Sequence, residues 1–195
     1  MADTEPGTVL PDNTAEPPGM PEQVTGIALV AEEPRLLVPL QLSGMPLALL
    51  QVRRGNLISV TAQYTADGEA DLAGTAESSV DVTLTRFDEP EPRVAGEGER
   101  AVSVAGRGAV RSLGLPMGGS AGLRRSVGLE WTTGVWAFSV GVWHRPPRLG
   151  EAERLLTQAA AQLALRSDRY LGDGPVPTRE EGAEHVERVS AKERW

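Results

Sequence analysis

The sequence predicts an α+β protein: an antiparallel sheet of about six to eight strands with one amphipathic C-terminal helix packed on one face. Three observations carry the prediction. Short apolar, β-branched runs are punctuated by Gly, Pro and Asn between residues 36 and 143. The segment Val80-Asp81-Val82-Thr83-Leu84-Thr85-Arg86-Phe87 alternates almost perfectly, as a strand with one buried face must. Ala152, Leu155, Leu156, Ala159, Ala160 and Leu163 recur at the spacing of one helical stripe.

Taken in order, residues 1–23 hold five prolines, five acids (Asp3, Glu5, Asp12, Glu16, Glu22) and no base. That composition lacks the apolar surface needed to offset ordering entropy and predicts a disordered acidic tail. A single α+β domain is expected over 24–172. Thr25 to Ala31 reads as a strand. Leu36, Val38, Leu40 and Leu42 alternate as a second strand, placed at an edge because Pro39 has no N–H to donate. Ser43-Gly44-Met45-Pro46 marks a turn. Leu47–Val52 and Leu57–Tyr64 flank Arg53-Arg54-Gly55-Asn56 as a hairpin, with Ile58, Val60, Ala62 and Tyr64 on the buried side.

Residues 65–79 and 88–99 read as loops by glycine, proline and charge. Ala101–Ala105 and Ala109–Leu113 are short strands about Gly106-Arg107-Gly108. Leu123–Trp131 and Val135–Trp143 form a further hairpin around Thr132-Thr133-Gly134. Pro146-Pro147 stops it, and a helix follows over 150–166, with Glu151 and Glu153 in its first turn and Arg166 in its last, as the helix dipole favours. Asp173-Gly174-Pro175 ends the domain. Residues 173–195 are expected to be a weakly helical or disordered tail, with Thr178 and Glu181 as a capping box.

Composition excludes several chemistries. The chain has 195 residues and no cysteine, so thiol catalysis, disulfides and thiolate metal sites are ruled out. No cofactor and no metal site is expected. The net charge is −8, and residues 24–150 carry 12 arginines against 13 acids. Nucleic acid is therefore not an expected partner, because phosphate binding needs a local excess of cations. The bases are 18 Arg and one Lys, Lys192, a bias that reads as a GC-rich coding sequence. No apolar run reaches the length of a membrane span, and no basic-then-apolar leader is visible. A cytoplasmic location is expected.

Motifs of catalysis are weak. Gly106-Arg107-Gly108-Ala109 lacks the third glycine and the following helix of a dinucleotide fingerprint, and Gly118-Gly119-Ser120 lacks the rest of a P-loop. Ser112, Ser120 and Ser126 lie in no nucleophile elbow. Glu32-Glu33 and Asp88-Glu89 read as solvated loop acids. His144 and His185, the two histidines, read as surface residues without a metal-ligand partner. The doublets Arg53-Arg54 and Arg124-Arg125 are candidates for an acidic partner. Four of the eight aromatics, Trp131, Trp136, Phe138 and Trp143, fall within 13 residues. Trp136 and Phe138 share one face of their strand and are expected in the core under the helix. Trp143 points the other way and, with His144 and Arg145, is a candidate binding surface.

The run Val102-x-Val104-x-Gly106-x-x-Ala109, then Leu129-x-Trp131-x-x-Gly134-x-Trp136 and a helix with Ala-Glu-x-Leu, resembles the C-terminal sheet-and-helix portion of β-rich domains in bacterial lipoproteins and anti-sigma-factor-associated proteins. The resemblance covers residues 101–165. It implies a layered sheet that binds or senses rather than catalyses, and it brings no catalytic residues. The expected function is thus a non-enzymatic bacterial binding module, a chaperone-like adaptor or regulatory partner that contacts another protein. Two alternatives stand beside it: a small hydrolase or isomerase using His144 with a carboxylate, and a structural component of a larger assembly.

Overall fold

The computed structural model describes residues 26–89, 91–114, 117–119, 122–145, 148–172 and 178–194. The expected acidic tail at 1–23, Ser120, Pro146-Pro147 and Asp173-Gly174-Pro175 lie outside them. The elements run α1 (Gly26–Glu32), a 3-10 turn (Pro34–Leu37), β1 (Gln41–Leu42), β2 (Met45–Arg54), β3 (Ile58–Thr65), β4 (Ser78–Arg86), β5 (Arg100–Val104), β6 (Arg107–Leu113), β7 (Met117–Gly119), β8 (Gly122–Thr133), β9 (Trp136–His144), α2 (Leu149–Leu171) and α3 (Arg179–Ser190).

The strands form one antiparallel sheet in the order β1-β2-β3-β4-β9-β8-β6-β5, with β7 paired to β8. The α+β class, the antiparallel sheet and the helix on its face are as the sequence predicts. Each tight connection has the chemistry its geometry needs. Ser43-Gly44 and Ala105-Gly106 both adopt positive φ, the backbone of two-residue hairpin turns whose twist matches the strands. Gly106-Arg107-Gly108 is therefore a hairpin corner rather than a phosphate cradle.

The inner face of the sheet is apolar at every second position: Val60, Ala62 and Tyr64 on β3, Val80, Val82 and Leu84 on β4, and Trp136, Phe138, Val140 and Val142 on β9. Trp131 of β8 stacks on Phe138 with ring centroids 5.1 Å apart. Helix α2 lies across β8 and β9 and buries Ala152, Leu156, Ala159, Ala160, Leu163 and Ala164 against them. The small alanines let the helix approach closely, and Leu156 and Leu163 are fully buried beside them. Two ion pairs, Arg111–Glu153 and Arg107–Asp168, hold the two ends of α2 to β6.

Residues 26–42 correct the sequence reading. Of the strand expected over Thr25–Ala31, Thr25 lies outside the described residues and the rest is helical: Gly26–Glu32 is α1. A short apolar run fits strand or helix equally until a neighbour selects. Here the neighbour is α2: Gly26 sits so close that a Cβ there would come within 2.0 Å of the Tyr170 carbonyl oxygen. Leu36–Leu42 is not an alternating edge strand either. Leu36, Leu37 and Val38 are buried consecutively, in a 3-10 turn that opens on Pro34 and is capped by the Glu33 carboxylate. Only Gln41–Leu42 pairs, as β1 on β2.

After residue 172 the chain folds back as α3. Thr178 and Glu181 form the reciprocal capping box, and Val189 is fully buried. Beyond α3, Leu50 of β2 exchanges backbone hydrogen bonds with Lys192 and Arg194, both at 3.0 Å. No helix among the described residues is long and apolar enough to cross a membrane.

Candidate functional site

The helices form one layer, and the opposite face of the sheet carries no helix among the described residues. Its outward positions are small and mostly polar. Across the central strands they are Thr83 and Thr85 on β4, Ala137 and Ser139 on β9, and Glu130 and Thr132 on β8. Gly128 and Gly141 sit directly opposite each other, and space around Gly141 is open. The middle of this face is thus a shallow floor without large side chains.

Topology puts a wall over the floor. The connection from β4 to β5 must carry the chain from the centre of the sheet to its far edge. Along the way the Arg93 guanidinium donates to Glu130 Oε2 at 2.9 Å and to Glu99 Oε1 at 2.8 Å. The hydrogen bond it donates to Glu130 and the charges of both carboxylates hold Arg93 above its ordinary pKa. Phe87, Glu89, Glu91 and Arg93 then line one side of a groove of about 550 Å³ whose floor is Thr83, Thr85, Ala137 and Ser139. That volume is within the range of ligand pockets. Glu89, Glu91 and Glu130 outnumber Arg93, so the groove is net negative.

The residues singled out from sequence are not gathered here. His144 is not a surface residue: it faces inward, is 6% exposed, and its Nε2 lies 2.9 Å from Glu151 Oε2 at the start of α2. Arg148 also reaches Glu151, at 3.3 Å. The fold therefore supplies a carboxylate to His144, beneath the α2 N-terminus. Trp143 is half-buried on the outer face, opposite Ser79 and Ser126. Arg145 is committed to the chain itself: its Nη2 donates to the Gly74 carbonyl at 2.7 Å, its Nη1 to the Thr75 carbonyl at 3.3 Å, and its backbone N–H to the Glu77 carbonyl at 2.6 Å. It staples the 66–77 loop to the end of β9.

Arg53 and Arg54 are exposed at the β2–β3 corner, and Arg54 donates to the Glu32 carbonyl at 3.3 Å. The backbones of Arg124 and Arg125 pair with Met117 and His144; their side chains lie outside the described residues. Ser112 is half-buried on the outer face beside Gly128. Ser126 lies close against Gly114, and its carbonyl accepts the Gly114 N–H at 3.0 Å. Glu33 is gripped by Arg35 through two hydrogen bonds of 2.6 Å. Burial pushes its carboxyl up, but the Arg35 contacts outweigh that and hold it below the ordinary range.

His185 is likewise not a free surface group. It is half-buried, with Nε2 2.8 Å from the Val38 carbonyl oxygen and 2.7 Å from Arg166 Nη2. Burial and the neighbouring Arg166 charge depress its pKa to about 4. Among the described residues no group of three or more His, Asp or Glu side chains is placed to hold a metal ion. Of the groove residues, Glu89 was weighed only as a solvated loop acid, and Phe87, Glu91 and Arg93 were missed by sequence reasoning. The available signal was length: a long structureless connection in a compact domain is commonly a functional loop.

No family model, curated protein or solved structure matches the chain.

Proposed function

We propose that the chain is a non-enzymatic binding module whose ligand is an extended segment of another protein, seated on the outer face of the sheet beneath the 87–93 connection. The observation that carries this reading is the asymmetry of the sheet: one face is fully occupied by helices, and the other holds an open groove of about 550 Å³ over the central strands. The floor is small and flat, which suits a backbone laid across it. The excess of Glu89, Glu91 and Glu130 over Arg93 favours a segment with Lys or Arg beside its apolar residues. A bacterial adaptor or regulatory partner working in the cytoplasm fits this chemistry, and the resemblance of residues 101–165 to binding and sensing domains points the same way.

The test is capture of partners by the full chain, identified by mass spectrometry, beside the Ser139→Trp variant. Ser139 faces outward, so a bulky ring there fills the groove without entering the core. The expected result is a partner captured by the wild type and lost in the variant, with the thermal midpoint unchanged. Equal capture by both would place the binding surface elsewhere.

The His144–Glu151 pair supports a second reading, a small hydrolase or isomerase. The two groups are within hydrogen-bond reach, yet neither belongs to the lining of the outer groove or of the smaller one between α1 and α3. Turnover of ester or keto substrates by the wild type, abolished in His144→Gln, would favour this reading over the first.

A further inference from the structure

We propose that α3 and residues 191–194 form a strap released by acid: His185 is the latch, and its protonation frees the strap from the 3-10 turn and β2. The inference rests on how few attachments the strap has and on what surrounds one of them. Of α3, only Val189 is fully buried. Val186 packs half-buried against the core, and the polar ties are Arg35 Nη1 to Ser190 Oγ at 2.8 Å, Arg35 to Glu193 at 2.9 Å, Lys192 Nζ to the Gly68 carbonyl at 3.5 Å, the backbone bonds to Leu50, and His185. A strap so lightly held responds to one unfavourable charge.

At the latch a single ring nitrogen meets both a carbonyl and a guanidinium. Nε2 can accept from Arg166 or donate to Val38, not both. Arg166 is fixed in place, since its Nε donates to the Leu36 carbonyl at 2.7 Å and its guanidinium lies 5.4 Å from the Tyr170 ring centre. A proton on His185 therefore sets two cations side by side in a half-buried site.

Backbone hydrogen bonds at Val38 and Arg35 favour the proton, but burial and the Arg166 charge outweigh them, and the side chains around the latch do not relieve this. From α2 come Arg166, Arg169 and Tyr170. From β3 comes Tyr64, whose hydroxyl donates to Pro39 at 2.9 Å and is pushed up by burial. From the 3-10 turn and its cap come Arg35 and Glu33, already paired with each other, and Glu193 is held by the same arginine. On α3 itself, Arg188 adds to the positive side, whereas no carboxylate, Glu181 and Glu184 included, is among the causes of the shift. Released, the strap uncovers the edge of β2 at Leu50 and the apolar residues Leu29, Leu36 and Tyr170, which line a cavity of about 190 Å³ against Ala183 and Val186.

The sign follows from linkage. The undocked histidine takes up its proton near its ordinary pKa of about 6.5, and the docked one near 4. Docking is at full strength above the first value, weakens as pH falls between the two, and is constant below the second. Between pH 7 and pH 5 the open fraction of the strap should rise about twentyfold.

Hydrogen exchange of the full chain, corrected for intrinsic rates and followed in peptides from 179–194 and 149–171, tests this. The expected result is that protection of the strap falls about twentyfold from pH 7 to pH 5 while α2 is unchanged, and that His185→Gln abolishes the pH response. Constant protection in the wild type overturns the proposal, as does a response that survives in His185→Gln. Should the variant be undocked already at pH 7, an NMR titration of His185 in the wild type decides. Protonation coincident with loss of α3 protection supports the latch, and protonation without that loss overturns it.

Discussion

The two faces of the sheet are built from the same strands and behave as different materials. On β9 the odd and even positions separate cleanly. Trp136, Phe138, Val140 and Val142 are at most 2% exposed, whereas Ala137, Ser139 and Gly141 between them are only partly covered. The inner set is large and apolar and is sealed by α2. The outer set is small up to Trp143 at the strand's end and lies open under a connection that only crosses it. Stability is therefore concentrated on one side of a backbone whose other side is free to vary, a division that lets a small domain carry a binding surface without weakening its core.

Substitutions that respect or violate this division should rank accordingly. Trp136→Ala removes a large side chain from the sealed face and is expected to cost about 3–5 kcal/mol in urea denaturation. A loss under about 1 kcal/mol would mean that the faces are assigned the wrong way round. Leu156→Ala, on the α2 stripe opposite, is expected to cost about 2–5 kcal/mol, more towards the upper end if the cavity stays open. Thr178→Ala removes the α3 cap and should cost about 1 kcal/mol, read as lost hydrogen-exchange protection in α3 before any change in the midpoint of global unfolding. Arg107→Ala breaks a pair whose side chains are 25% and 44% exposed, and should cost under about 1 kcal/mol. Thr85→Ala on the open face should stay within about 0.5 kcal/mol of wild type. A larger loss at Thr85 would show that the outer face contributes to folding as well as to recognition.

Much of this arrangement was legible in the residues. Alternation in Val80–Leu84 and Trp136–Val142 placed the inner face, and the stripe from Ala152 to Leu163 placed the helix on it. These signals are periodic, so they survive ignorance of the tertiary fold. Three features were not legible, for physical reasons. The Gly26–Val30 run is too short for its period to separate helix from strand, and contact with Tyr170 decides it. His144 and His185 look like exposed polar residues because their polar partners, Glu151 and Arg166, lie on α2 and meet them only once that helix has packed. The groove was invisible because 88–99 reads as a loop by composition alone, which says nothing of the surface a loop lies over. Arg145 shows the converse: its type suggested recognition, while carbonyls of the 66–77 loop already hold both of its Nη groups.

The strand order has a kinetic consequence. β1 to β4 join neighbours in sequence, and so largely do β5 to β9; the seam between these halves is β4 against β9, where Ser78–Arg86 meets Trp136–His144. That closure spans both the 87–99 connection and the whole second half, so its entropy cost comes before its contacts stabilise it. Each half is expected to form its hairpins early and to wait for the other. Refolding speed should then depend on the seam, and a nick in the 87–99 connection should leave two fragments able to find each other in solution.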